Sequence, residues 1–522
     1  MSGTTTPDRS VPPAGHVGFA RTLHAEWTKF RTVRGWVLAV VAAGLVIAGL
    51  ALAPSMHGTC GTNGPNSACT VPLGPGGEPV TDQFTFVHRP LVGDGSLTVR
   101  VTDLAGKLPE YSSGIRDAPP GLRSGVMPWA KAGILVKDGT AQGSAYAAML
   151  VTGDHGVRLQ SDFTGDVAGL PGIVSPSSPR WLRLTRTGGT LAGAESVDGV
   201  HWTTVGTVHL AGLPATIQAG LFATSPQSAQ VMALGFGLFS GPTQATGTFD
   251  HLALAGNWSD AAWTRDDVGA PGNAPPVQRG AFQQAGGTYT VSGSGDIAPA
   301  VTGASGFGTT VAQALAGIFL GLIVVVVVAT LFVTAEFRRG LICITFAADP
   351  RRGRVLAAKA VVVGVVTFLA GLAAAVVAVP LGTRVLRASG IYVYPASTAT
   401  ELRVIVGTAA VLAMSAVLAL ALGTVLRRGG AAVAAAVVVI VLPYLLAISI
   451  LPVGAARWLL RFAPAAAFAV QQTMPQYAQV DNVYAPAAGY YPLPPWAGFA
   501  VLCGWTALAL GLAAFQLNRS DV

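Results

Sequence analysis

The segment Glu336-Phe-Arg-Arg-Gly-Leu-Ile-Cys-Ile-Thr-Phe-Ala-Ala-Asp-Pro-Arg-Arg-Gly-Arg-Val-Leu-Ala-Ala-Lys359 is a basic loop between two long apolar runs. Its acidic residues are only Glu336 and Asp349. Its basic residues are Arg338, Arg339, Arg351, Arg352, Arg354 and Lys359. Short loops rich in Lys and Arg stay on the cytoplasmic side of a bilayer. The segment therefore predicts a cytoplasmic loop over residues 334–359, and this loop fixes the side on which all other segments lie.

The middle of this loop, Leu341 to Ala348, is apolar but too short to cross a bilayer. We therefore predict a short helix that lies at the membrane interface. Asp349-Pro350 should end it, because the residue before a proline is disfavoured in helical geometry. Two hypotheses remain for the loop as a whole: it is a surface on which a partner acts, or it is an ordinary positive loop that only sets orientation.

The composition of the whole chain predicts a protein with several membrane spans. Of its 522 residues, 51% are apolar and 11% are charged, with a mean hydropathy of +0.54, which is too apolar for an ordinary soluble enzyme. Runs of about 20 apolar residues are long enough to cross the hydrocarbon core as helices. The predicted spans are residues 36–53, 311–333, 360–380, 404–426, 431–451 and 496–516.

The same pattern predicts a topology in the plasma membrane. Six crossings from a cytoplasmic start place both termini in the cytoplasm and residues 54–308 outside the cell, ahead of a five-helix membrane domain over 309–522. Residues 1–35 are predicted to form a cytoplasmic tail and an amphipathic interfacial helix. A cleaved signal peptide is the alternative interpretation of the first apolar run. Pro443 should kink the fifth span.

The extracellular segment has the pattern of a β domain. In Trp181-Leu-Arg-Leu-Thr-Arg186 the apolar and polar residues alternate, which indicates a half-buried strand. Several such runs, joined by turns such as Asp198-Gly199, favour an antiparallel sandwich. Cys60 and Cys69 flank a short loop and are candidates for a disulfide bond in an oxidising compartment, with two free thiols as the alternative.

Motifs for catalysis are absent from the sequence. It contains no phosphate-binding loop, no G-x-S-x-G elbow and no H-E-x-x-H metal motif, so we expect no catalytic residues, no metal site and no enzyme activity in this chain. Glu195 and Asp198 come closest to a glycosidase pair, but Asp198-Gly199 favours a turn. The predicted spans contain almost no ionisable residue, which argues against an ion-coupled carrier. The sequence also lacks a basic stripe with interleaved aromatic residues, so it does not predict nucleic-acid binding.

Five motifs in the extracellular segment resemble the concanavalin A-like lectin/glucanase jelly roll over about residues 81–255. They are Pro128-Trp-Ala-Lys-Ala-Gly-Ile-Leu-Val-Lys-Asp138, Pro179-Arg-Trp-Leu-Arg-Leu-Thr-Arg-Thr-Gly188, Glu195-Ser-Val-Asp-Gly-Val-His-Trp202, Ala219-Gly-Leu-Phe-Ala-Thr-Ser225 and Phe249-Asp-His-Leu252. The resemblance implies a jelly-roll fold. Trp181 and Trp202 are candidates for stacking on a glycan, with a place in the hydrophobic core as the alternative.

Three basic motifs are similar to the permease subunits of actinobacterial ABC exporters of the type-2 class. They are Ala25-Glu-Trp-Thr-Lys-Phe-Arg-Thr-Val-Arg34, Ala335-Glu-Phe-Arg-Arg-Gly-Leu341 and Pro350-Arg-Arg-Gly-Arg-Val-Leu-Ala-Ala-Lys359. The resemblance implies an interfacial helix that includes Glu26, Trp27, Lys29 and Arg31. It also implies a coupling helix against an ATPase that includes Glu336, Arg338, Arg339, Gly340, Pro350, Arg351, Arg352 and Lys359. The large domain between the first two spans departs from the common pattern, in which that loop is short.

Together these observations predict a mixed membrane protein with six transmembrane α-helices and an all-β antiparallel sandwich between helices 1 and 2. The expected function is the permease subunit of an exporter with a glycan or cell-envelope substrate. Its expected partners are a separate ATPase subunit that binds ATP and Mg, a second permease (an identical copy or a paired subunit), the bilayer and a glycan or cell-wall ligand. The alternative is a membrane-anchored carbohydrate-binding or sensory protein that does not transport.

Overall fold

The computed structural model describes residues 18–52, 71–110, 121–231, 238–270, 275–303 and 306–519, which form a helical part and a β-sheet part. Cys60 and Cys69 lie outside the described residues. The helices are α1 (Phe19–Thr32), α2 (Arg34–Ala51), α3 (Ile318–Arg338), α4 (Leu341–Ala348), α5 (Arg352–Ala388), α6 (Thr398–Leu426), α7 (Gly429–Ala436), α8 (Leu442–Ser449), α9 (Val453–Phe462) and α10 (Pro495–Arg519).

The strands all lie between α2 and α3 in the chain. They are β1 (Val80–Asp82), β2 (Phe84–Glu110), β3 (Gly121–Ser124), β4 (Lys131–Lys137), β5 (Tyr146–Thr152), β6 (Val157–Ser161), β7 (Gly165–Ala168), β8 (Arg180–Thr187), β9 (Thr190–Ser196), β10 (Thr203–His209), β11 (Thr216–Thr224), β12 (Ser228–Val231), β13 (Leu238–Gly241), β14 (Gln244–Trp258), β15 (Thr264–Val268), β16 (Ala281–Ala285), β17 (Thr288–Gly293) and β18 (Ile297–Pro299).

Six helices of the described chain are long and apolar enough to cross a membrane, as the sequence predicts. They cover 34–51, 311–338, 352–388, 398–426, 429–449 and 495–519. The largest difference is at α5, which has 37 residues and begins eight residues before its predicted span. At 1.5 Å per residue it is about 55 Å long, so it extends well beyond a hydrocarbon core of about 30 Å. The first turns of α5 therefore belong to the basic segment, which is mostly helical.

Glycines allow the spans to pack closely. A Cβ atom added at Gly317 would lie 2.9 Å from the Cα of Ile47, and one at Gly371 would lie 2.8 Å from Leu412 Cδ1. These contacts join α2 to the start of α3, and α5 to α6. Small residues at helix interfaces let backbones approach in lipid, where no hydrophobic force drives the helices together.

Two irregular elements interrupt the helical part. The residues Val437–Val441 form one π-helical turn just before Pro443, which cannot donate a backbone hydrogen bond. The helix α9 and a 3₁₀ helix over Pro464–Gln471 meet at an angle of 103°, and together they are long and apolar enough to form a broken span or a re-entrant loop. Every residue from Pro464 to Gln471 is buried.

The strand β2 organises the β-sheet part. It is 27 residues long and changes partners along its length. Its first half pairs with β11 and β15, and its second half pairs with β8, β14 and β3, all antiparallel. The main path of the sheet runs β10-β9-β8-β2-β11-β4-β5-β6-β7. Strands after residue 255, namely β15, β16 and β17, also join this sheet.

The strand β8 shows the predicted alternation. Leu182 and Leu184 are buried, and Arg183 and Thr185 are half-buried on the other face. Arg186 falls on the buried face, where its guanidinium donates to the carbonyl oxygens of Gly188, Ala215 and Pro214. These three acceptors satisfy a cation that would otherwise be costly to bury. By contrast β4 and β5 are buried on both faces, which explains their continuous apolar runs.

The β-sheet part rests on one end of the helical part. The strands β1 and β18 pair, so the beginning and the end of the sheet segment lie side by side. The side chains of Gln479 and Asn482, in the segment before α10, donate to the carbonyl oxygens of Thr164 and Thr302. Tyr490 and Tyr491 are buried in the same segment, whereas Trp458 and Trp496 are about 60% exposed. These two tyrosines therefore pack within the protein.

Candidate functional site

The helix α1 buries one narrow face. Thr22, Glu26 and Phe30 are the buried residues of α1 and are spaced four apart, so they lie in one row along the helix. Trp27 and Arg31 are exposed on the other side. The helix ends at Val33, whose extended backbone separates it from α2. The buried row thus places a carboxylate, Glu26, against the neighbouring helices.

Lys359 lies at the centre of a charge cluster, which comprises Glu26, Lys29, Glu336 and Lys359. Lys29 is half-buried and the other three are buried. Lys359 is 1% exposed and lies two turns into α5. Its Nζ donates to Glu26 Oε2 at 2.6 Å and to Glu336 Oε1 at 2.7 Å. The ring of Phe332 lies 4.9 Å from the same ammonium group. One lysine of α5 therefore holds together α1 and the end of α3.

Lys29 is the second cation of the charge cluster. Its Nζ donates to Glu26 Oε1 at 2.7 Å, to Glu336 Oε1 at 3.3 Å and to Thr345 Oγ1 of α4 at 3.2 Å. Burial by itself would lower the pKa of Lys29, but the hydrogen bonds and negative charges of Glu26 and Glu336 outweigh it and raise the pKa above its ordinary value. The charge cluster therefore keeps this lysine protonated.

The charge cluster is electrically balanced, with two carboxylates and two ammonium groups. Its members come from α1, α3 and α5, and Lys29 extends it to α4. Within the described residues, Glu336 Oε2 is buried with no hydrogen-bond partner. Loss of one member of a buried ionic group leaves an uncompensated charge, which costs about 3–5 kcal/mol. The charge cluster thus fixes the relative positions of four helices.

A second contact joins α1 to the end of α4. Thr22 Oγ1 donates to Asp349 Oδ2 at 2.8 Å, and the backbone N–H of Arg351 donates to Asp349 Oδ1 at 3.2 Å. Arg354 lies 4.0 Å from the same carboxylate. The helix α4 has the bounds that the sequence predicts, Leu341–Ala348, and Asp349 follows it with an extended backbone. Asp349 thus connects the end of α4 to α1 and to the start of α5.

The remaining residues of the basic segment form its outer surface. Arg338, Arg339, Gly340, Pro350 and Arg351 are exposed. Gly340 has a φ of +66°, which lets the chain turn from α3 into α4. On α4, the apolar side chains of Leu341 and Ile344 are 45% and 68% exposed.

Arg352 differs from its exposed neighbours. Its guanidinium is half-buried, donates to the carbonyl oxygen of Leu517 and lies over the ring of Phe346. It therefore connects α5 to α10 and α4. Of the residues implied by the exporter resemblance, Glu26, Lys29, Glu336 and Lys359 are brought together in the charge cluster. The others lie outside it, where Arg352 is half-buried and the rest are exposed.

Several members of the site were not singled out from the sequence. Thr345 and Phe332 contact the lysines of the charge cluster, and Thr22 donates to Asp349. The four-residue spacing of Thr22, Glu26 and Phe30 is a signal that could have identified the buried face of α1. Thr345 and Phe332 have no such signal, because their role depends on how α4 and α3 pack against α1.

The two tryptophans predicted as glycan contacts lie near one turn of the sheet. Trp202 is half-buried, its indole N–H donates to Gly199 O, and the guanidinium of Arg183 stacks 3.8 Å from its ring centre. The ring of Trp181 lies against Gly199, with Arg100 5.8 Å from its centre. Arginine side chains thus occupy the positions beside both rings.

Glu195 and Asp198 have separate structural roles. Glu195 is 2% exposed, and its Oε1 accepts from the backbone N–H of Leu170 at 2.7 Å. Asp198 accepts from the backbone N–H groups of Val200 and His201, which agrees with the predicted turn. Burial raises the pKa of Glu195, whereas the hydrogen bonds from His201 hold the pKa of Asp198 well below its ordinary value. In the described part of the chain, no group of three or more His, Cys, Asp or Glu residues is arranged to hold a metal ion.

Comparisons with known proteins give no family. No protein-family model matches the chain, and no curated protein matches it. Among solved structures, a functionally unknown protein from Saccharomyces cerevisiae is 16% identical, with a TM-score of 0.22, and the match covers 38% of this chain and 95% of that one. The scytalido-glutamic peptidase is 8% identical, with a TM-score of 0.22 and coverages of 40% and 98%. The GH43 protein BlXynB from Bacillus licheniformis is 16% identical, with a TM-score of 0.16 and coverages of 25% and 24%. These scores are too low to support an argument on fold or function.

Proposed function

We propose that this chain is the permease subunit of an ABC-type exporter in the plasma membrane, driven by a separate ATPase subunit. The observation that carries the proposal is the charge cluster. It connects α1 and α4, the two short helices predicted at the membrane interface, to the spans α3 and α5. A force applied to α1 or α4 would therefore be transmitted to two spans.

The surface around α4 suits contact with another protein. It combines exposed cations, such as Arg338 and Arg351, with the exposed apolar side chains of Leu341 and Ile344. Interfaces commonly place an apolar centre inside a charged rim. In the proposed mechanism, ATP binding closes the ATPase, the closed ATPase displaces α4, and the charge cluster moves α1, α3 and α5 together as a rigid body.

The β-sheet part has a separate role in the proposal. It lies outside the cell as a jelly-roll domain and receives or shields a glycan or cell-envelope substrate. Its supporting feature is its contact with the ends of the spans through Gln479 and Asn482. A domain held there lies beside the point where a substrate would leave the membrane part.

A pull-down from native membranes tests the proposal. The chain is the bait, and the recovered proteins are scored for an ATPase. The variant Arg338→Glu/Arg351→Glu reverses two exposed charges beside α4 and should reduce ATPase recovery at least tenfold. The matched control, Arg384→Glu/Arg387→Glu, makes the same change at the other end of α5, where both residues are also exposed. Recovery should be unchanged in the control.

Two outcomes would contradict the proposal. Equal ATPase recovery with both variants would show that the partner does not bind at α4. The absence of any ATPase, together with glycan binding by the chain, would instead favour the anchored carbohydrate-binding protein. A membrane-tethered glycosidase would require hydrolysis that is lost in Glu195→Gln.

A further inference from the structure

A large cavity lies at the end of the helical part that faces the β-sheet part. Its volume is 510 Å³, within the range of small-molecule sites. Its walls come from the approach to α3, from α8, from the last residue of the 3₁₀ helix and from two loops. The lining residues fall within 302–303, 306–319 and 486–491, together with Tyr444, Ile448 and Gln471. Glu336 lies 18 residues along α3 from Ile318, so the charge cluster is about 27 Å away. The cavity is thus a separate site.

None of the described residues that line the cavity is charged. The apolar part of the wall includes Phe307, Phe319 and Ile448. Burial of an unpaired charge in such surroundings is strongly unfavourable. A charged ligand would find no counter-ion here. The lining therefore selects for molecules that carry no net charge.

A few polar groups are placed in this wall. The amide Nε2 of Gln471 donates to Thr408 Oγ1 at 3.1 Å, and Tyr444 and Tyr491 also belong to the lining. Thr302 Oγ1 donates to Ala488 O at 3.1 Å. Amide and hydroxyl groups can both donate and accept. A ligand with a few neutral hydrogen-bonding groups and an apolar body would match this surface.

The broken pair of helices provides an independent argument. Gln471 is the last residue of the 3₁₀ helix that meets α9 at 103°. Irregular backbone at membrane depth occurs where it is buried in protein or lines a cavity, and interrupted helices often form substrate sites in transporters. Here the irregular element is buried, and its end forms part of the cavity wall.

The cavity is also accessible. Ala316, just before α3, and Ala487, in the loop before α10, are both exposed and both belong to its lining. A molecule could thus enter without passing through the packed interior of the spans.

We propose that this cavity binds an uncharged amphipathic molecule, with an apolar chain or ring system and one or two hydroxyl or amide groups. The molecule lies against Phe319 and Tyr444, and its polar end meets Gln471. The inference that the cavity binds such a molecule rests on the lining residues described above. The inference that this molecule is the exported substrate rests on the proposed function. In that case the substrate has a neutral, lipid-like portion, whatever glycan it also carries.

Photolabelling of the full chain in lipid nanodiscs tests the proposal. The probe is a monoacylglycerol with a diazirine in its acyl chain, and the labelled peptides are mapped by mass spectrometry. Label is expected in the peptides that contain residues 307–319 and 444–448. Unlabelled monoolein should displace it at concentrations at least tenfold lower than oleate, which has the same chain but a negative charge.

Two variants locate the site. Ala312→Trp fills the cavity and should reduce labelling at least tenfold, whereas the control Ala399→Trp places the same side chain at an exposed position of α6 outside the cavity and should not. If Ala312→Trp does not fold, Gln471→Leu is used in its place. It removes the amide and should reduce labelling severalfold. Equal labelling of folded Ala312→Trp and Ala399→Trp would overturn the site. Where Ala312→Trp does not fold, equal labelling of Gln471→Leu and the parent would overturn it. Equal displacement by oleate and monoolein would overturn the preference for uncharged molecules.

The two proposals can fail separately. If labelling behaves as expected but no ATPase is recovered in the pull-down, the cavity remains and the transport function fails. If the ATPase is recovered and the cavity is not labelled, transport remains and the substrate inference fails.

Discussion

Buried lysines occur in both parts of the molecule, but they are satisfied in different ways. In the sheet, Lys131 donates to Asp296 and to Ile297 O, and Lys137 donates to Asp82 and to Ser144 O. Each has one carboxylate and one backbone carbonyl of its own. In the helical part, Lys359 bridges two carboxylates that also accept from Lys29.

This difference separates local from shared stabilisation. A lysine with its own carboxylate stabilises one place in a sheet, and its substitution should destabilise mainly that place. A lysine that shares carboxylates with another lysine connects several helices, so its substitution should destabilise all of them. The shared arrangement is suited to transmit movement, and the paired arrangement is suited to resist it.

The largest effect is expected from Lys359→Met. The change leaves Glu26 and Glu336 buried with only Lys29 between them, and it should lower the free energy of unfolding by about 3–5 kcal/mol. Thermal unfolding of the purified chain in detergent measures this. The control Arg351→Gln, at an exposed position, should change it by less than about 0.5 kcal/mol. An equal, small effect of both changes would refute a stabilising role for the charge cluster.

A more local effect is expected from Lys137→Met. Asp82, whose side chain is fully buried, keeps only the hydrogen bond from the backbone N–H of Gly143, so the loss should also be about 3–5 kcal/mol. Hydrogen exchange should become faster in β4 and β5 and stay unchanged in α1. The reverse result is expected for Glu26→Gln, with faster exchange in α1 and in the parts of α3, α4 and α5 around the charge cluster, and no change in β4 and β5. Faster exchange throughout the chain in both variants would mean that the two parts are not independent.

The pH dependence of stability should have opposite signs at Lys137 and Lys29. Burial lowers the pKa of Lys137 in the folded chain below 10.5, despite the charge of Asp82. Between this folded-state pKa and 10.5 the unfolded chain binds more protons, so stability rises with pH. The pKa of Lys29 is raised, so stability falls as the pH rises from 10.5 through the folded value. Unfolding of Lys137→Met and Lys29→Gln, each compared with the parent between about pH 8 and about pH 11, measures the two slopes. Slopes of the same sign would contradict this prediction.

The smallest effect is expected at His201, on the surface of the sheet part. Its hydrogen bond to the Asp198 carboxylate raises its pKa above 6.5. The stabilisation is complete below pH 6.5 and is lost as the pH rises through the folded value. An NMR titration of His201 in the parent and in Asp198→Asn measures the shift. A midpoint that does not fall in the variant would rule out Asp198 as its cause.

The helical part could be predicted in detail because its signals are local. Runs of apolar residues mark each span, and the proline after Asp349 marks the end of α4 within one residue. The positions of Arg183 and Leu184 on opposite faces of β8 also follow from alternation alone. The partner changes of β2 could not be predicted, because they depend on pairings between residues more than a hundred positions apart.

The candidate site could be predicted only in part. The sequence identifies Glu26, Lys29, Glu336 and Lys359 as residues of basic motifs near the membrane. It treats Lys359 as the end of a loop, whereas the structure has it buried within a helix. The ionic contacts among α1, α3 and α5 arise from helix packing, and no pattern within a single segment specifies them.

The pairing of β1 with β18 has a consequence for how such a chain could arise. Because Val80 pairs with Pro299, the sheet segment leaves and re-enters the helical part at neighbouring points. Domains with adjacent ends can be inserted into a loop of another protein with little disturbance to it. The close contact of Ile47 with Gly317 places the end of α2 beside the start of α3, so a short loop could span the same gap.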